Sequence, residues 1–257
     1  MRILISNDDG IFSQGIHVLA KMLNEIAEVI VIAPDAERSA TGHAITMHQP
    51  LRVKKVDFFN SDIEAYAVNG TPADCIKLGV QAILKDRNVD LVVSGINNGP
   101  NLGTDVIYSG TVSAAVEAAI LEIPSIAVSM GSRNISTYND AAGFIKKISS
   151  DILNSKEILQ ETIINVNYPT CPLNEISGVK ITTLGITKYD NSFSERKDPR
   201  GNSYYWMCGD VIEMEQDKES DILALKDNYI SVSPIHFDLT NYKTFEKLRS
   251  LGLEKYQ

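Results

Sequence analysis

Asp8 and Asp9 stand side by side where the first apolar run of the chain gives out, in the stretch ISNDDGIFSQG. Two adjacent carboxylates repel each other, and burial raises the cost. A cation between them removes the conflict. Strand neighbours point to opposite faces, so both acids can face one ion only where the chain turns, and Gly10 permits that turn. The plainer alternative is a solvated acid pair, or one acid capping the next helix. Two further residues bear on the choice. Asn97, in SGINNGPNLG, offers an amide oxygen, a hard neutral ligand, although Asn and Gly also serve tight turns. Ser39, in ERSATG, offers a hydroxyl, or is an ordinary loop serine. Asp8, Asp9, Ser39 and Asn97 together would make an all-oxygen set with two negative charges. Such a set suits Mg²⁺ or Mn²⁺, with positions left for water and substrate. No His or Cys cluster points to zinc.

A second kind of chemistry is written in YSGTVSAAVEAAI. Ser109, Gly110 and Thr111 lead into an alanine-rich helix predicted over 111–121. The free N–H groups and dipole of a helix start favour an anion, and the two hydroxyls add donors. Gly110 would let a phosphate approach the backbone. An ordinary helix cap by Ser109 or Thr111 is the alternative. A metal site and an anion site on one rim would suit a phosphate ester bridging them. Rival phosphate chemistries lack their motifs. There is no G-x-x-x-x-G-K-[ST], no G-x-G-x-x-G after the first strand and no G-x-S-x-G. The adjacent acids do not form the D-x-D of a haloacid-dehalogenase-type phosphatase. A receiver-like binding module, which also gathers acids around Mg²⁺, would need an Asp where the loop after Ser94 has Asn97. The histidines are scattered: His17 lies on a predicted helix, and His43 and His236 could reach the rim.

The elements that must position these groups follow from the apolar pattern. Strands are predicted at 2–6, 28–33, 51–56, 65–69, 91–94 and 125–129. Helices are predicted at about 14–27 with Ser13 as cap, at about 72–84 behind Thr71-Pro72, and at 138–153. The alternation predicts an α/β fold with a mostly parallel sheet and helices on both faces. Ligands of such sheets bind outside the carboxyl ends of the strands, and the polar loops after residues 7, 33 and 94 all leave from that edge. Further strands are expected at 161–168, 178–184 and 229–235, with a last helix at 240–252. Between them, 186–212 turns polar and aromatic, and DPRG signals a hairpin arm carrying Trp206, Tyr204 and Tyr205. A two-stranded arm cannot bury those rings alone, so they pack on another subunit or fold back on their own domain.

At 257 residues the chain suits one α/β domain. Its net charge of −9 argues against long nucleic acid as a partner, since that affinity rests on clustered Lys and Arg. No apolar run is long enough to span a membrane. The start runs straight into a strand without a signal pattern, and three cysteines form no C-x-x-C pair, so a reduced, cytoplasmic setting is expected.

The segments MRILISNDDG, ERSATGHAIT, NGTPADCIKLG, DLVVSGINNGPNLGTDVIYSGTVSAAVEAA, DPRGNSYYWMCG and ISVSPIHFDLT occur in that order from residue 1 to about 240. Together they resemble the SurE family, the stationary-phase survival proteins, which are metal-dependent 5′/3′-nucleotidases. The chain departs at Ser6, where Thr is usual, and at Ala118-Ala119, where Glu-Gly is common, and neither departure touches a proposed ligand. The resemblance implies a Rossmann-like domain and one divalent metal ion per subunit, Mg or Mn. It also implies hydrolysis of nucleoside 5′- and 3′-monophosphates, and in some members of short polyphosphate. Its metal ligands map onto Asp8, Asp9, Ser39 and Asn97, and its phosphate-holding turn onto Ser109, Gly110 and Thr111, with Asn97 also facing substrate. Asp8 or Asp9 would take the catalytic role. The resemblance further implies a homodimer or homotetramer, built through the arm at 186–212 and a C-terminal segment at 229–252.

Overall fold

Runs such as Ile3-Leu4-Ile5 and Ile30-Val31-Ile32 are apolar at every position, and such strands are stable only with both sheet faces covered. The computed structural model describes residues 1–131, 137–155, 162–190 and 193–251. Its strands are β1 (Arg2–Ser6), β2 (Glu28–Pro34), β3 (Val53–Lys55), β4 (Glu64–Val68), β5 (Leu91–Asn97), β6 (Ser125–Met130), β7 (Ile163–Tyr168), β8 (Gly178–Ile181), β9 (Phe193–Lys197), β10 (Ser203–Met207) and β11 (Tyr229–Ile235). The helices are α1 (Gln14–Leu23), α2 (Pro72–Leu78), α3 (Gly110–Ile120), α4 (Tyr138–Asn154), α5 (Asp221–Lys226) and α6 (Tyr242–Ser250).

Nine strands make one sheet in the order β3-β4-β2-β1-β5-β6-β7-β11-β8. β4, β2, β1, β5, β6 and β7 run parallel, while β3 pairs antiparallel with β4 and β11 antiparallel with β7. One face is covered by α1 and α4, whose Ile16, Leu19, Leu23, Ala141 and Ile145 pack with Ile3, Ile5, Val31 and Val93. On the other face Cys75 and Ile76 of α2 and Ala114 and Ala118 of α3 pack with Leu4, Ile30, Ile32 and Val92. The strand alternation thus assigns odd residues of β1 to one layer and Leu4 to the other.

The predicted elements hold with local differences: the helix predicted to about 27 ends at Leu23, and the strand predicted to 184 ends at Ile181. The 51–56 strand shortens to β3, an edge strand whose three side chains are all exposed. The helix predicted to run to about 84 is α-helical only to Leu78 and continues as a π-helical turn, Gly79–Ile83. α3 begins one residue early, because Ser109 takes the cap position and its hydroxyl accepts from the Val112 N–H at 3.1 Å. The predicted 161–168 strand, the arm and the C-terminal segment touch residues 161, 191–192 and 252, which lie outside the described residues.

The arm is an antiparallel pair, β9 with β10. Its turn is tied by Asp198, which accepts from the backbone N–H groups of Arg200 (2.8 Å) and Asn202 (2.9 Å). The rings do not fold back: Tyr205 is 61% and Trp206 62% exposed. α6 buries no residue, and Leu239, Tyr242, Leu248 and Leu251 around it are exposed. Cys75, Cys171 and Cys208 are free thiols. Among the described residues no helix is long and apolar enough to cross a membrane.

Candidate active site

β1, β2, β5 and β6 all end at the same edge, and the site is assembled there around the turn after β1. Asn7 is fully buried and donates to Gly10 O (3.0 Å) and Ser13 Oγ (2.8 Å). Ser13 therefore stands at the helix cap as expected, but its hydroxyl serves Asn7 and makes no capping bond. Gly10 has φ +94°, a left-handed conformation that a side chain would strain, and a Cβ there would come within 3.2 Å of Ala36. The turn is what lets Asp8 and Asp9 leave the strand together.

Asp8 is only 4% exposed. Burial pushes its carboxyl pKa up, and the nearby Glu37 charge adds to this, while hydrogen bonds from the Thr111 hydroxyl and backbone pull it down. The Thr111 hydroxyl donates to Asp8 Oδ1. Asp9 Oδ2 accepts from the Asn98 backbone N–H at 3.1 Å. Its charge reaches Tyr138, whose phenol is pushed up to about 12, mainly by burial and then by Asp9.

The other residues singled out from sequence gather around this pair. The Arg38 N–H donates to Asp8 O at 2.7 Å, which brings the β2 loop, and Ser39 in it, to the acids. Ser39 is exposed and donates to Glu37 Oε1 at 2.7 Å. Asn97 Nδ2 donates to Gly99 O at 2.8 Å, which leaves Oδ1 as the open end of that amide. Ser109 and Thr111 are buried at the start of α3. The Ser109 oxygen accepts the cap bond, so its proton stays available to donate, whereas the Thr111 proton is given to Asp8. The space beside Gly110 is filled by Asp8: a Cβ there would lie 2.8 Å from Asp8 Cβ and 3.0 Å from Asp8 Oδ2.

The loop from 35 to 50 is pinned along its length. Gly42 N–H donates to Tyr108 O (3.0 Å), the Thr71 hydroxyl to Ala44 O (2.7 Å), and Thr46 to both oxygens of Asp74 (2.9 and 2.6 Å). His43 Nε2 lies 2.8 Å from Glu117 Oε2, and Lys77 Nζ 2.7 Å from Glu117 Oε1. Burial opposes the Glu117 charge, but hydrogen bonds from His43 and Lys77 outweigh it and hold the carboxyl below the usual glutamate range. A depressed folded pKa adds stability above the unfolded value, and that stability is lost as pH falls through the folded one. Glu117→Gln is expected to cost about 2 kcal/mol at neutral pH. The gap to wild type should narrow once pH drops below about 4.3, the ordinary glutamate value. Denaturant midpoints at both pH values check this, and an unchanged gap refutes it.

Of the histidines, His43 does approach this region, through Glu117. His17 stacks on Phe59 with ring centroids 4.0 Å apart, and His236 Nδ1 accepts from its own loop at Asp238 N–H. Sequence reasoning missed Asn7, Asn98 and Glu117. Asn98 acts through its backbone, which no residue type announces. The only signal for Asn7 was its place before two acids at a strand end.

A divalent cation fits the donor chemistry. Among the described residues no group of three His, Cys, Asp or Glu is placed to hold a metal, so the charge would come from Asp8 and Asp9. Burial and the Glu37 charge both disfavour the ionised Asp8 carboxylate, and a hard cation would favour it. Neutral oxygens of Asn97 and Ser39 would complete an oxygen-only set.

The family described as "Survival protein SurE" matches residues 3–191. The chain belongs to the SurE family. A protein from Alkaliphilus metalliredigens named 5′-nucleotidase SurE is 65% identical over 255 residues, 99% of this chain and 100% of that one. Another of that name, from Carboxydothermus hydrogenoformans, is 52% identical over 97% of this chain and 96% of its own length. The crystal structure of the SurE protein from Aquifex aeolicus matches with a TM-score of 0.84 at 40% identity, covering 98% of this chain and all of that one. The α/β fold with its mostly parallel sheet and separate two-stranded arm is thus a SurE fold.

Proposed function

We propose that this chain is a divalent-metal-dependent phosphomonoesterase that hydrolyses nucleoside 5′- and 3′-monophosphates to nucleoside and phosphate. The observation that carries the reading is the buried Asp8 carboxylate against the first turn of α3, with Asp9 beside it on the 97–98 loop. The relatives named 5′-nucleotidase support the nucleotide as substrate class. Short polyphosphate is a further substrate of the same site.

Asp8, Asp9, Ser39 and Asn97 would hold one Mg²⁺ or Mn²⁺ per subunit. When bound, such an ion neutralises phosphate charge and acidifies water. The chain's own groups do the rest. The Gly110 N–H at the start of α3 and the remaining Ser109 proton bind phosphate oxygens, with Thr111 shaping that turn. Asn97 contributes to holding substrate as well. The Thr111 hydroxyl holds the Asp8 carboxylate in one orientation. Asp8 or Asp9 either accepts the proton of the attacking water as the ester P–O bond breaks and the nucleoside oxygen leaves, or itself attacks phosphorus and expels that oxygen, water then hydrolysing the acyl phosphate. The test is release of inorganic phosphate from 5′-AMP, 3′-AMP and an aryl phosphate, metal-stripped and then with Mg²⁺ or Mn²⁺ restored. Release that returns with metal is expected. No release from folded protein under any metal overturns the reading.

The working unit is a homodimer or homotetramer in the cytoplasm, joined through the arm and the C-terminal segment. Exposed Phe193, Tyr205, Trp206 and Met207 support this, since rings on a two-stranded ribbon gain little until another surface covers them. Trp206→Ala is expected to shift sedimentation toward the monomer. An unchanged oligomer would remove the arm from the interface.

A further inference from the structure

The segment from the last residue of β5, Asn97, to the 3₁₀ turn Gly103–Ile107 includes Asn98 and is rich in Gly and Asn. Such a loop has little stiffness of its own. Yet it must hold the Asn98 N–H on Asp9 Oδ2 and the Asn97 amide beside it. What holds it lies below, in the sheet. Asn167 on β7 accepts from the Asn101 N–H at 2.8 Å and donates to Asn101 O at 3.0 Å, so one side chain takes both backbone groups of one residue, as a neighbouring strand would. Asn165, two residues back on the same face, donates to Asn101 O at 3.0 Å. The Asn101 side chain in turn donates to Ser129 Oγ at 2.7 Å, and Ser129 is the register partner of Asn167 on β6. Asn165, Asn167 and Ser129 are all fully buried.

Packing alone does not account for this. Asn165 Oδ1 is buried and has no partner among the described residues. An unmet buried acceptor costs stability, and an aliphatic residue of similar size would avoid the cost. Asn165 is therefore placed for its donor, and the donor goes to the loop. Farther along, the Gly103 N–H donates to Asp221 Oδ2 at 2.8 Å, so the loop is fastened at two points beyond Asn98.

We infer that Asn167 and Asn165 are positioning residues for the reaction: by holding both backbone groups of Asn101 they fix the loop that presents Asn97 and Asn98 to Asp9. The inference rests on the phosphomonoesterase reading and deepens it. Small displacements of reacting groups are costly, of order 10²-fold for about 1 Å. Asn167→Ala is expected to lower kcat about 30-fold at saturating metal and substrate, with KM changed by less than about threefold, and Asn165→Ala to lower it about fivefold. Ser231→Ala is the control. Ser231 is buried beside Asn167 in the sheet and bonds Thr182, away from the loop. It should lower thermal stability but leave kcat within about twofold of wild type.

Hydrogen exchange separates positioning from simple destabilisation and does not depend on activity. Amides of 97–103 should exchange faster in Asn167→Ala and Asn165→Ala, and at the wild-type rate in Ser231→Ala. If Asn167→Ala fails to fold, Asn165→Ala carries the comparison. Wild-type kcat and exchange in both Asn variants would overturn the inference, as would an equal loss of kcat in Ser231→Ala. Wild-type protein that releases no phosphate would instead overturn the parent reading, while the exchange data still judge the clamp.

Discussion

Asp9→Asn is expected to reduce phosphate release from 5′-AMP by at least about 10³-fold while the protein stays folded. Bound-metal charge stabilisation is worth several kcal/mol, and each 1.36 kcal/mol is a factor of ten. The substitution keeps the shape and keeps an oxygen that can accept the Asn98 N–H, now held at 3.1 Å, so the 97–103 loop should remain where it is. What it removes is one of the two negative charges proposed to hold the ion, and among the described residues no group of three His, Cys, Asp or Glu is placed to hold a metal in their stead. The thermal midpoint should move by no more than a few degrees, because Asp9 is not fully buried and its loss relieves repulsion with Asp8. Two readings decide the matter, phosphate release across a Mn²⁺ titration and the melting curve. A near-normal rate at high Mn²⁺ would remove Asp9 from the catalytic set, because a lost ligand that excess metal fully restores contributes affinity alone.

Much of this arrangement is legible in the sequence, for a physical reason. Strands covered on both faces must be apolar at every position, so Ile3-Leu4-Ile5 and Leu91-Val92-Val93 stand out against the polar loops that follow them. The rule that ligands lie beyond the carboxyl ends of parallel strands then brings residues near 8, 39, 97 and 110 to one rim, and the structure does bring those loops together. The groups that stiffen the rim were not legible. Asn101 finds Asn165 and Asn167 across more than sixty residues of chain, and no local pattern distinguishes such an asparagine from a turn former. Glu117 reads as an ordinary acid on an alanine-rich helix until His43 and Lys77 are seen on either side of it. The Thr111 hydroxyl, read from sequence as a donor for phosphate, is given to Asp8 here, a contact between residues 103 positions apart.

Gly110→Ala is expected to separate helix stability from activity. Local propensity favours the change, since alanine is better than glycine in a helix by about 1 kcal/mol. Position 110 opens α3, and the glycine does not adopt a positive φ, so the backbone itself accepts a side chain. The obstacle is Asp8. A Cβ at 110 would lie 2.8 Å from Asp8 Cβ, closer than two carbons pack, and 3.1 Å from Pro72 Cγ on the other side. Asp8 Cβ is one bond from the backbone and cannot swing aside as the tip of a long side chain would. The carboxylate, or the start of α3, must therefore move by several tenths of an ångström, and the bond from Thr111 to Asp8 must lengthen or break. Since about 1 Å of misplacement can cost of order 10²-fold, kcat should fall between about 10-fold and 10²-fold. The melting temperature should change little, propensity and crowding acting in opposite directions. Gly110→Ser adds a Cβ at the same place together with a hydroxyl that could bind phosphate, so it should be as slow if the contact with Asp8 is what matters. A serine variant near the wild-type rate would show instead that the position serves phosphate contact and that the close approach to Asp8 is incidental.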